Sequence, residues 1–283
     1  MDKRILLFGS TGFIGSHFKE ALEEKGYRVF GPRIEVRDLD EVKKAFEDIR
    51  PDIAINATGK TGTPNVDWCE THPAETFTVN VGGSLNIASV ALENKVPMVQ
   101  IGSGCLYNGD NGGKGFSESD GPNYFGSLYT RSRIYSEAML REFPNVLQLR
   151  VRIPITGKPH PKNLIDKLLR YPKIINVPNS CTVIEDFIPA VIQLMEKGAT
   201  GVFNMTNIGA MDHKRIMAMY NEIVDPDFEI NLMPKKEEAD LCLRRSNCVL
   251  NTDKREKLGV HMPPLADSFR RILKEYKANA RRA

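Results

Sequence analysis

The sequence predicts an α/β protein with a doubly wound parallel sheet and a smaller C-terminal lobe. Short apolar runs alternate with amphipathic stretches over the first half of the chain, which is typical of a parallel sheet covered by helices on both faces. A glycine-rich turn directly follows the first apolar run. After Arg152 several prolines, from Pro154 to Pro189, break the chain into short elements, and this change predicts a second lobe.

Apolar runs and amphipathic spacing place the elements in order. We expect strands at Ile5–Phe8, Arg28–Phe30, Ile53–Asn56, Pro97–Ile101, Val146–Val151 and Gly201–Asn204. We expect helices at Phe13–Lys25, Asp40–Ile49, Pro73–Asn94, Ser127–Phe143, Asn163–Arg170, Ile184–Lys197, Asp212–Ile223 and Leu265–Tyr276. The stretch Asn108–Asp120 is rich in glycine, asparagine and serine, and is predicted to be a mobile surface loop.

The glycine-rich turn has the spacing GxxGxxG and lies between a strand and a helix. Such a turn aims backbone N–H groups and the positive helix end at one point, where a phosphate can sit. It therefore predicts a Rossmann-type dinucleotide site formed by Gly9, Ser10, Thr11, Gly12, Phe13, Ile14 and Gly15. We expect a dinucleotide-binding Rossmann domain at residues 1–155 and a mainly substrate-binding lobe at residues 156–283, part of which returns to the sheet.

The composition excludes several classes of protein. The net charge of +3 on 283 residues is too small to indicate a nucleic-acid partner. We expect no membrane association and no signal peptide, because no apolar run is long enough to span a bilayer and the chain begins with a strand. Five cysteines without CxxC spacing predict reduced thiols in the cytoplasm, and five scattered histidines predict that there is no metal site.

The residues after the second strand bear on the choice of nicotinamide cofactor. An NAD site usually has a carboxylate there, which binds the ribose 2′-hydroxyl. Here Arg33 follows the strand, and its guanidinium can bind a 2′-phosphate, so the sequence predicts NADP(H). Glu35 is the alternative, because a longer turn would give it the acidic role. Further cofactor contacts are predicted at Asp38, Leu39, Asn56, Ala57, Thr58 and Asn80.

Ser103, Tyr129 and Arg133 form the candidate catalytic group. Ser103 follows the fourth strand, and a spacing of four places Tyr129 and Arg133 on one face of a helix. At these residues the chain resembles the extended short-chain dehydrogenase/reductase superfamily, which pairs a Ser or Thr with a Tyr and with a Lys four residues later. Arg133 stands where the superfamily has lysine, so this position departs from the pattern.

Longer motifs in both halves carry a narrower resemblance. They are Gly59–Glu70, Gly104-Cys105, Leu149–Ile155, Val177–Ser180 and Arg245–Asn247. Together and in this order they resemble the UDP-4-keto-6-deoxyglucose 3,5-epimerase/4-reductases, the enzymes that complete UDP-rhamnose. The superfamily resemblance also implies a homodimer, formed through the helices at Pro73–Asn94 and Ser127–Phe143.

The narrower resemblance implies further site residues. Cys105 and Lys167 match the pair that moves protons during epimerisation, and which of them is the acid stays open. Cofactor contacts are implied at Arg152 and Pro154. Substrate contacts are implied at Lys60, Thr61, Asn163, Val177, Arg245 and Asn247.

This set of residues suits one reaction sequence. A 4-keto group acidifies the C–H bonds at C3 and C5, so inversion there needs two proton carriers, and Tyr129 can then protonate the oxygen at C4 during reduction by NADPH. One alternative is a 4-reductase resembling the dTDP-4-dehydrorhamnose reductases, which needs neither Cys105 nor Lys167. The other is a non-catalytic NADP(H)-binding regulator, because Arg133 breaks the catalytic pattern. The choice between a UDP and a dTDP sugar stays open.

Overall fold

The structure, a computed structural model, describes residues 3–63 and 65–280. The chain forms two compact units. The first takes in the chain up to residue 106 together with residues 125–150 and 194–203. The second takes in residues 107–124, 151–193 and the chain from 204 onward. Residues 194–203 of the C-terminal half thus fall in the first unit.

The sheet of the first unit has six strands. They are β1 (Arg4–Phe8), β2 (Arg28–Phe30), β3 (Ile53–Asn56), β4 (Met98–Ser103), β5 (Val146–Val151) and β8 (Gly201–Asn204). Their order is β2-β1-β3-β4-β5-β8, and β1 runs parallel to both β2 and β3. The predicted doubly wound α/β fold is confirmed. The winding direction reverses at β1, and ligands of such sheets bind beside the strand ends at that point.

Helices of the first unit cover this sheet. They are α1 (Phe13–Glu24), α2 (Leu39–Ile49), α3 (Trp68–Thr71), α4 (Pro73–Phe77), α5 (Ser84–Glu93) and α6 (Leu128–Leu140). The helix expected at Pro73–Asn94 is present without a break from Pro73 to Glu93, but its middle part, Thr78–Gly83, is π-helical. The side chain of Asn80 in this turn hydrogen-bonds the backbone of Lys60, and π-turns often occur at functional sites.

The second unit has shorter elements. They are β6 (Pro154–Ile155), α7 (Leu164–Arg170), β7 (Thr182–Val183), α8 (Ile184–Glu196), α9 (His213–Ile223), α10 (Lys235–Leu243), α11 (Asp253–Lys257) and α12 (Leu265–Ala280). The helix α8 runs on into the first unit. The sequence did not predict α10, whose only buried residue is Glu238, so it lacks an apolar stripe. The core contains Ile155, Val183, Ile216 and Phe269.

The segment Asn108–Asp120, expected to be a mobile surface loop, is exposed over residues 108–114 and is also held by backbone pairing. Gly109 pairs with Cys248 and Phe116 pairs with Leu250 as isolated parallel bridges. Phe116 and Glu118 are buried, and Glu118 accepts a hydrogen bond of 2.8 Å from the backbone N–H of Asn204. The segment is held by backbone pairing, which its glycine-rich composition did not reveal.

Over the described residues, no helix is long and apolar enough to cross a membrane. The same residues contain no group of three or more His, Cys, Asp and Glu side chains that could hold a metal ion.

Candidate active site

The turn after β1 has the close backbone contacts of a dinucleotide turn. Gly9 has φ +75°, and a Cβ atom there would lie 2.9 Å from the carbonyl group of Ala57. A Cβ atom on Gly15 would lie 2.1 Å from the carbonyl oxygen of Gly9, so only glycine lets α1 pack this closely on the turn. Gly12 precedes α1 without a side-chain cap, as expected where a helix start faces an anion.

The charged side chains after β2 leave a positive charge available for a phosphate. Glu35 is bound to Arg37 at 2.7 Å, and this hydrogen bond is the main reason that the pKa of Glu35 is lowered. Arg33 is exposed and has no ion pair within the described residues. Asp38 accepts hydrogen bonds from the N–H groups of Asp40 and Glu41 as the N-cap of α2. The Glu35 carboxylate, the alternative partner for a ribose hydroxyl, is therefore already engaged by Arg37.

Asn56 and Asn80 shape the loop after β3. Asn56 is fully buried, and its Oδ1 accepts hydrogen bonds from the N–H (3.0 Å) and the hydroxyl (2.5 Å) of Thr58. Asn80 binds the backbone N–H and carbonyl of Lys60 at 2.7 and 3.0 Å. Both residues thus hold the loop that contains Ala57 and Thr58, two predicted cofactor contacts.

The ammonium group of Lys60 is already engaged. It pairs with Glu75 and lies 4.7 Å from the centre of the Trp68 ring. Trp68 stacks on His72 with ring centres 3.8 Å apart. Thr61 lies next to Lys60 and is half-buried.

Ser103 and Cys105 lie beside the first turn of α6. The Ser103 hydroxyl and the Cys105 thiol are hydrogen-bond partners. The Thr130 hydroxyl donates to the Cys105 carbonyl at 3.1 Å, and Ser127 caps the helix by accepting from the Thr130 N–H at 3.2 Å. The same turn of α6 carries Tyr129. The structure thus places three of the predicted catalytic residues at one helix start.

Arg133 completes this group from the next turn of α6. Its guanidinium carbon lies 5.4 Å from the centre of the Tyr129 ring. The residue is 7% exposed, and its Nε and Nη1 atoms have no hydrogen-bond partner among the described residues. A Cβ atom on Gly59 would lie 2.0 Å from Nη2, so glycine at position 59 makes room for arginine. The sequence motif contains Gly59, but only the structure shows this function.

Lys167 lies on α7 in the second unit. Burial lowers its pKa, and the nearby charges of Lys162 and Arg170 lower it further. Within the part of the chain that the structure describes, its ammonium has no ion pair. Cys105 belongs to the first unit and Lys167 to the second.

Asn179 is a central hydrogen-bonding residue of the second unit and was not among the residues predicted for the site. Its Oδ1 accepts from Arg152 at 2.5 Å, and its Nδ2 donates to the Val177 carbonyl (3.2 Å) and to Asn247 Oδ1 (3.0 Å). Three predicted contact residues thus meet at one buried amide. Arg245 donates to the Arg244 carbonyl at 3.0 Å. The sequence did contain a signal for Asn179, because this residue lies inside the motif Val177–Ser180.

The segment after β5 contains a buried side chain that holds it in place and a residue with a strained backbone. Asn163 is fully buried, and its side chain binds Thr156 and Lys158 backbone groups, so it holds this segment from within. Ile153, just before Pro154, has φ +39°, which is strained for a β-branched residue. The sequence gives no signal for this strain, since a residue before proline is normally extended.

Comparison with known proteins gives a consistent group. The family model for the RmlD substrate-binding domain matches residues 3–278. A trifunctional UDP-glucose 4,6-dehydratase/UDP-4-keto-6-deoxy-D-glucose 3,5-epimerase/UDP-4-keto-L-rhamnose-reductase of Arabidopsis thaliana is 36% identical over 278 residues, which cover 95% of this chain and 42% of that protein. The chain thus spans about two fifths of the length of such relatives. A bifunctional dTDP-4-dehydrorhamnose 3,5-epimerase/dTDP-4-dehydrorhamnose reductase of the same plant is 35% identical and covers 95% of this chain and 91% of its own length.

Solved structures agree with these matches. The crystal structure of the L780 UDP-rhamnose synthase from Acanthamoeba polyphaga mimivirus has a TM-score of 0.92 and 30% identity, and covers 97% of this chain and 100% of that chain. A dTDP-4-dehydrorhamnose reductase from Bacillus anthracis in complex with NADP has a TM-score of 0.84 at 18% identity and covers 97% and 99%, so it shows the shared fold alone. The narrower resemblance drawn from the sequence motifs is confirmed by the relatives above 30% identity.

Proposed function

The chain belongs to the family of RmlD substrate-binding domains, and on this premise we propose that it is an enzyme of rhamnose synthesis acting on a nucleotide sugar with NADPH. We propose that it inverts C3 and C5 of UDP-4-keto-6-deoxyglucose and then reduces C4, which gives UDP-β-L-rhamnose. The observation that carries this proposal is the hydrogen bond between Ser103 and Cys105, beside the helix that carries Tyr129 and Arg133. The names of the Arabidopsis relatives describe the same two kinds of step.

NADPH fits the residues of the first unit. The contacts at Gly9 and Gly15 leave no room for a Cβ, which suits a backbone that approaches a pyrophosphate. Arg33 supplies an exposed cation for the 2′-phosphate. The Nη2 end of the Arg133 guanidinium, which faces the loop at Gly59, suits ribose hydroxyls. When bound, NADPH supplies the hydride that C4 receives.

Cys105 and Lys167 are assigned to epimerisation. The 4-keto group acidifies the C–H bonds at C3 and C5, and inversion needs one group that takes a proton and another that returns one. The lowered pKa of Lys167 brings its amine and ammonium forms closer to balance near neutral pH. The Cys105 thiol is half-buried and has a hydroxyl partner in Ser103, so its proton has a defined neighbour.

Tyr129 and Ser103 are assigned to the reduction. Tyr129 donates its phenolic proton to the oxygen at C4 as that carbon is reduced, while Ser103 hydrogen-bonds the same oxygen. The Arg133 guanidinium carbon lies 5.4 Å from the centre of the ring, so its positive charge is close to the group that gives up the proton. Because a guanidinium keeps its proton, Arg133 acts through its charge and hydrogen bonds, and water restores the proton of Tyr129.

The nucleotide is assigned to the remaining predicted residues. We propose that Arg245 pairs with the diphosphate and that Lys60, Thr61, Val177 and Asn247 contact the rest of the substrate. We favour the UDP sugar because the L780 crystal structure is that of a UDP-rhamnose synthase. Competition between UDP and dTDP sugars for the purified protein tests this choice.

The decisive experiment follows NADPH oxidation and product stereochemistry with UDP-4-keto-6-deoxyglucose. Wild type should give UDP-β-L-rhamnose, whereas Cys105→Ala and Lys167→Met should fail on this substrate but still reduce the already epimerised UDP-4-keto-rhamnose. Full turnover of the first substrate by Cys105→Ala would favour the pure 4-reductase. Binding of NADPH without oxidation on either substrate would favour the regulator.

We also propose a cytoplasmic homodimer. All five cysteines are free thiols, which suits a reducing compartment. On α6, Tyr135 and Met139 are 50% and 37% exposed and lie one turn apart, and Phe77 of α4 lies 6.0 Å from the Tyr135 ring. This apolar face suits a second copy of the chain. Light scattering should give a dimer mass, and Tyr135→Lys should convert it to a monomer.

A further inference from the structure

We propose that Gln148 and Ser136 are positioning residues that hold the Arg133 guanidinium through one buried water molecule. The proposal rests on the assigned role of Arg133 in reduction. It concerns a small polar cavity of the first unit, between α6 and strands β4 and β5, which no step of the proposed mechanism uses.

The cavity has the size of a single water molecule. About 10 Å³ is open to the centre of a water molecule, which is close to the smallest space that holds one. Its wall contains Gln100, Ser103, Arg133, Ser136 and Gln148, together with the ion pair of Glu137 and Arg150. A polar cavity of this size binds water when it offers two to four hydrogen-bonding partners.

The hydrogen bonds within the cavity wall leave acceptor groups that can bind a water molecule. Gln148 donates its Nε2 to the Glu137 carbonyl at 3.3 Å, which leaves its Oε1 as an acceptor. Gln100 is engaged at both ends of its amide, with Asn56 at 2.9 Å and with the Ile101 carbonyl at 3.1 Å. The Ser103 hydroxyl is engaged with the thiol and the backbone N–H of Cys105. Among the described side chains of this wall, the Gln148 amide oxygen and the Ser136 hydroxyl therefore remain as acceptors for a guanidinium or a water.

Arg133 supplies the matching donors. Among the described residues its Nε and Nη1 atoms are buried without a partner, and leaving such donors of a charged group unpaired is destabilising. The Glu137 carboxylate does not compensate them, because Arg150 binds it at 2.7 and 2.8 Å and Arg141 at 2.9 Å. One water that accepts from Arg133 and donates to Gln148 Oε1 and the Ser136 hydroxyl satisfies all three groups.

The water site serves an arginine at position 133, whereas a lysine there would have no inner N–H group to bind the water. An arginine side chain has an inner N–H at the position where lysine has a methylene group, so only arginine brings a polar group back into the helix–sheet interior. On its other side the guanidinium meets the backbone at Gly59. The water and Gly59 therefore fix the guanidinium from two sides, and this orientation sets the charge that acts on Tyr129.

A double-mutant cycle tests the positioning role. Gln148→Met keeps the length of the side chain and removes the acceptor, whereas Gln148→Glu keeps an acceptor and serves as the conservative control. With Arg133 present, we expect Gln148→Met to lower kcat for reduction of UDP-4-keto-rhamnose by about tenfold, with little change in KM, and to raise the pH of half-maximal rate. In an Arg133→Lys background the same substitution should change neither value.

Two results would overturn the proposal. One is a Gln148→Met enzyme with the wild-type rate and pH profile; the other is an equal loss in both backgrounds, which would indicate a purely structural role. If wild type reduces neither keto-sugar, the proposed function fails, and the water site is then decided by crystallography. A high-resolution structure should show an ordered water within hydrogen-bond distance of both Arg133 and Gln148 Oε1, and the lack of density there would refute it.

Discussion

Replacing Glu137 by glutamine tests how α6 is fixed to the sheet. The Arg150 side chain is 2% exposed and that of Glu137 is 13% exposed, and two hydrogen bonds of 2.7 and 2.8 Å join them. Removing one charge of a buried ion pair costs about 3–5 kcal/mol. Glutamine keeps one acceptor, so we expect the free energy of unfolding to fall by about 3 kcal/mol, the lower end of that range.

Urea unfolding followed by far-UV circular dichroism and by the fluorescence of the single tryptophan, Trp68, measures this loss. Arg141→Ala is the matched control, because Arg141 binds the same carboxylate but is 44% exposed, and we expect it to cost less than about 1 kcal/mol. The double variant Glu137→Leu/Arg150→Met removes both charges and should recover most of the stability. A Glu137→Gln protein that unfolds within about 1 kcal/mol of wild type would refute the argument.

Three further predictions concern the cofactor, the catalytic group and the pH dependence of stability. Arg33→Ala should weaken NADPH binding by about tenfold and leave NADH binding unchanged, as measured by titration calorimetry; equal losses for both cofactors would contradict the assigned 2′-phosphate contact. Gly59→Ala should displace the Arg133 guanidinium, because the added Cβ would lie 2.0 Å from Nη2, and should lower the reduction rate, whereas Gly121→Ala, with nothing within 4 Å, should not. Burial lowers the pKa of His213 from 6.5 to about 4, so the folded protein resists protonation and should lose up to about 3 kcal/mol as the pH falls from 6.5 to 4. Urea unfolding of wild type and His213→Gln at pH 7 and pH 4.5 checks this sign, and an equal pH dependence of the two proteins would argue against it.

Much of the first unit could be predicted because its signals are local. The strands at Arg28–Phe30, Ile53–Asn56, Val146–Val151 and Gly201–Asn204 have the predicted bounds, since each is a short apolar run between turns. The dinucleotide turn was predictable for the same reason, because the conformation of Gly9 and the close packing of Gly15 depend on residues near them in the chain. Short elements of the second unit, such as β6 and α10, lack an apolar pattern and were missed.

The candidate site was predictable only as a set of residue types. The sequence indicated Ser103, Cys105, Tyr129 and Arg133, but their hydrogen bonds depend on where β4 ends relative to α6. Nothing in the local pattern predicted that Thr130 binds the Cys105 backbone, or that Asn179 joins Arg152 to Asn247. Those contacts join residues 25 to 68 positions apart, and only packing brings such residues together.

The sequence by itself determined the α/β class, the glycine turn and the residue types of the candidate catalytic group, because periodicity and backbone requirements depend on neighbouring residues. Tertiary structure alone decided which polar atoms are left without partners. Lys167 lost its aqueous surroundings through burial, and Arg133 lost them between α6 and the backbone of Gly59. Desolvation depends on everything that packs around a side chain, and that is why an arginine in the place of a lysine could be read from the sequence but its surroundings could not.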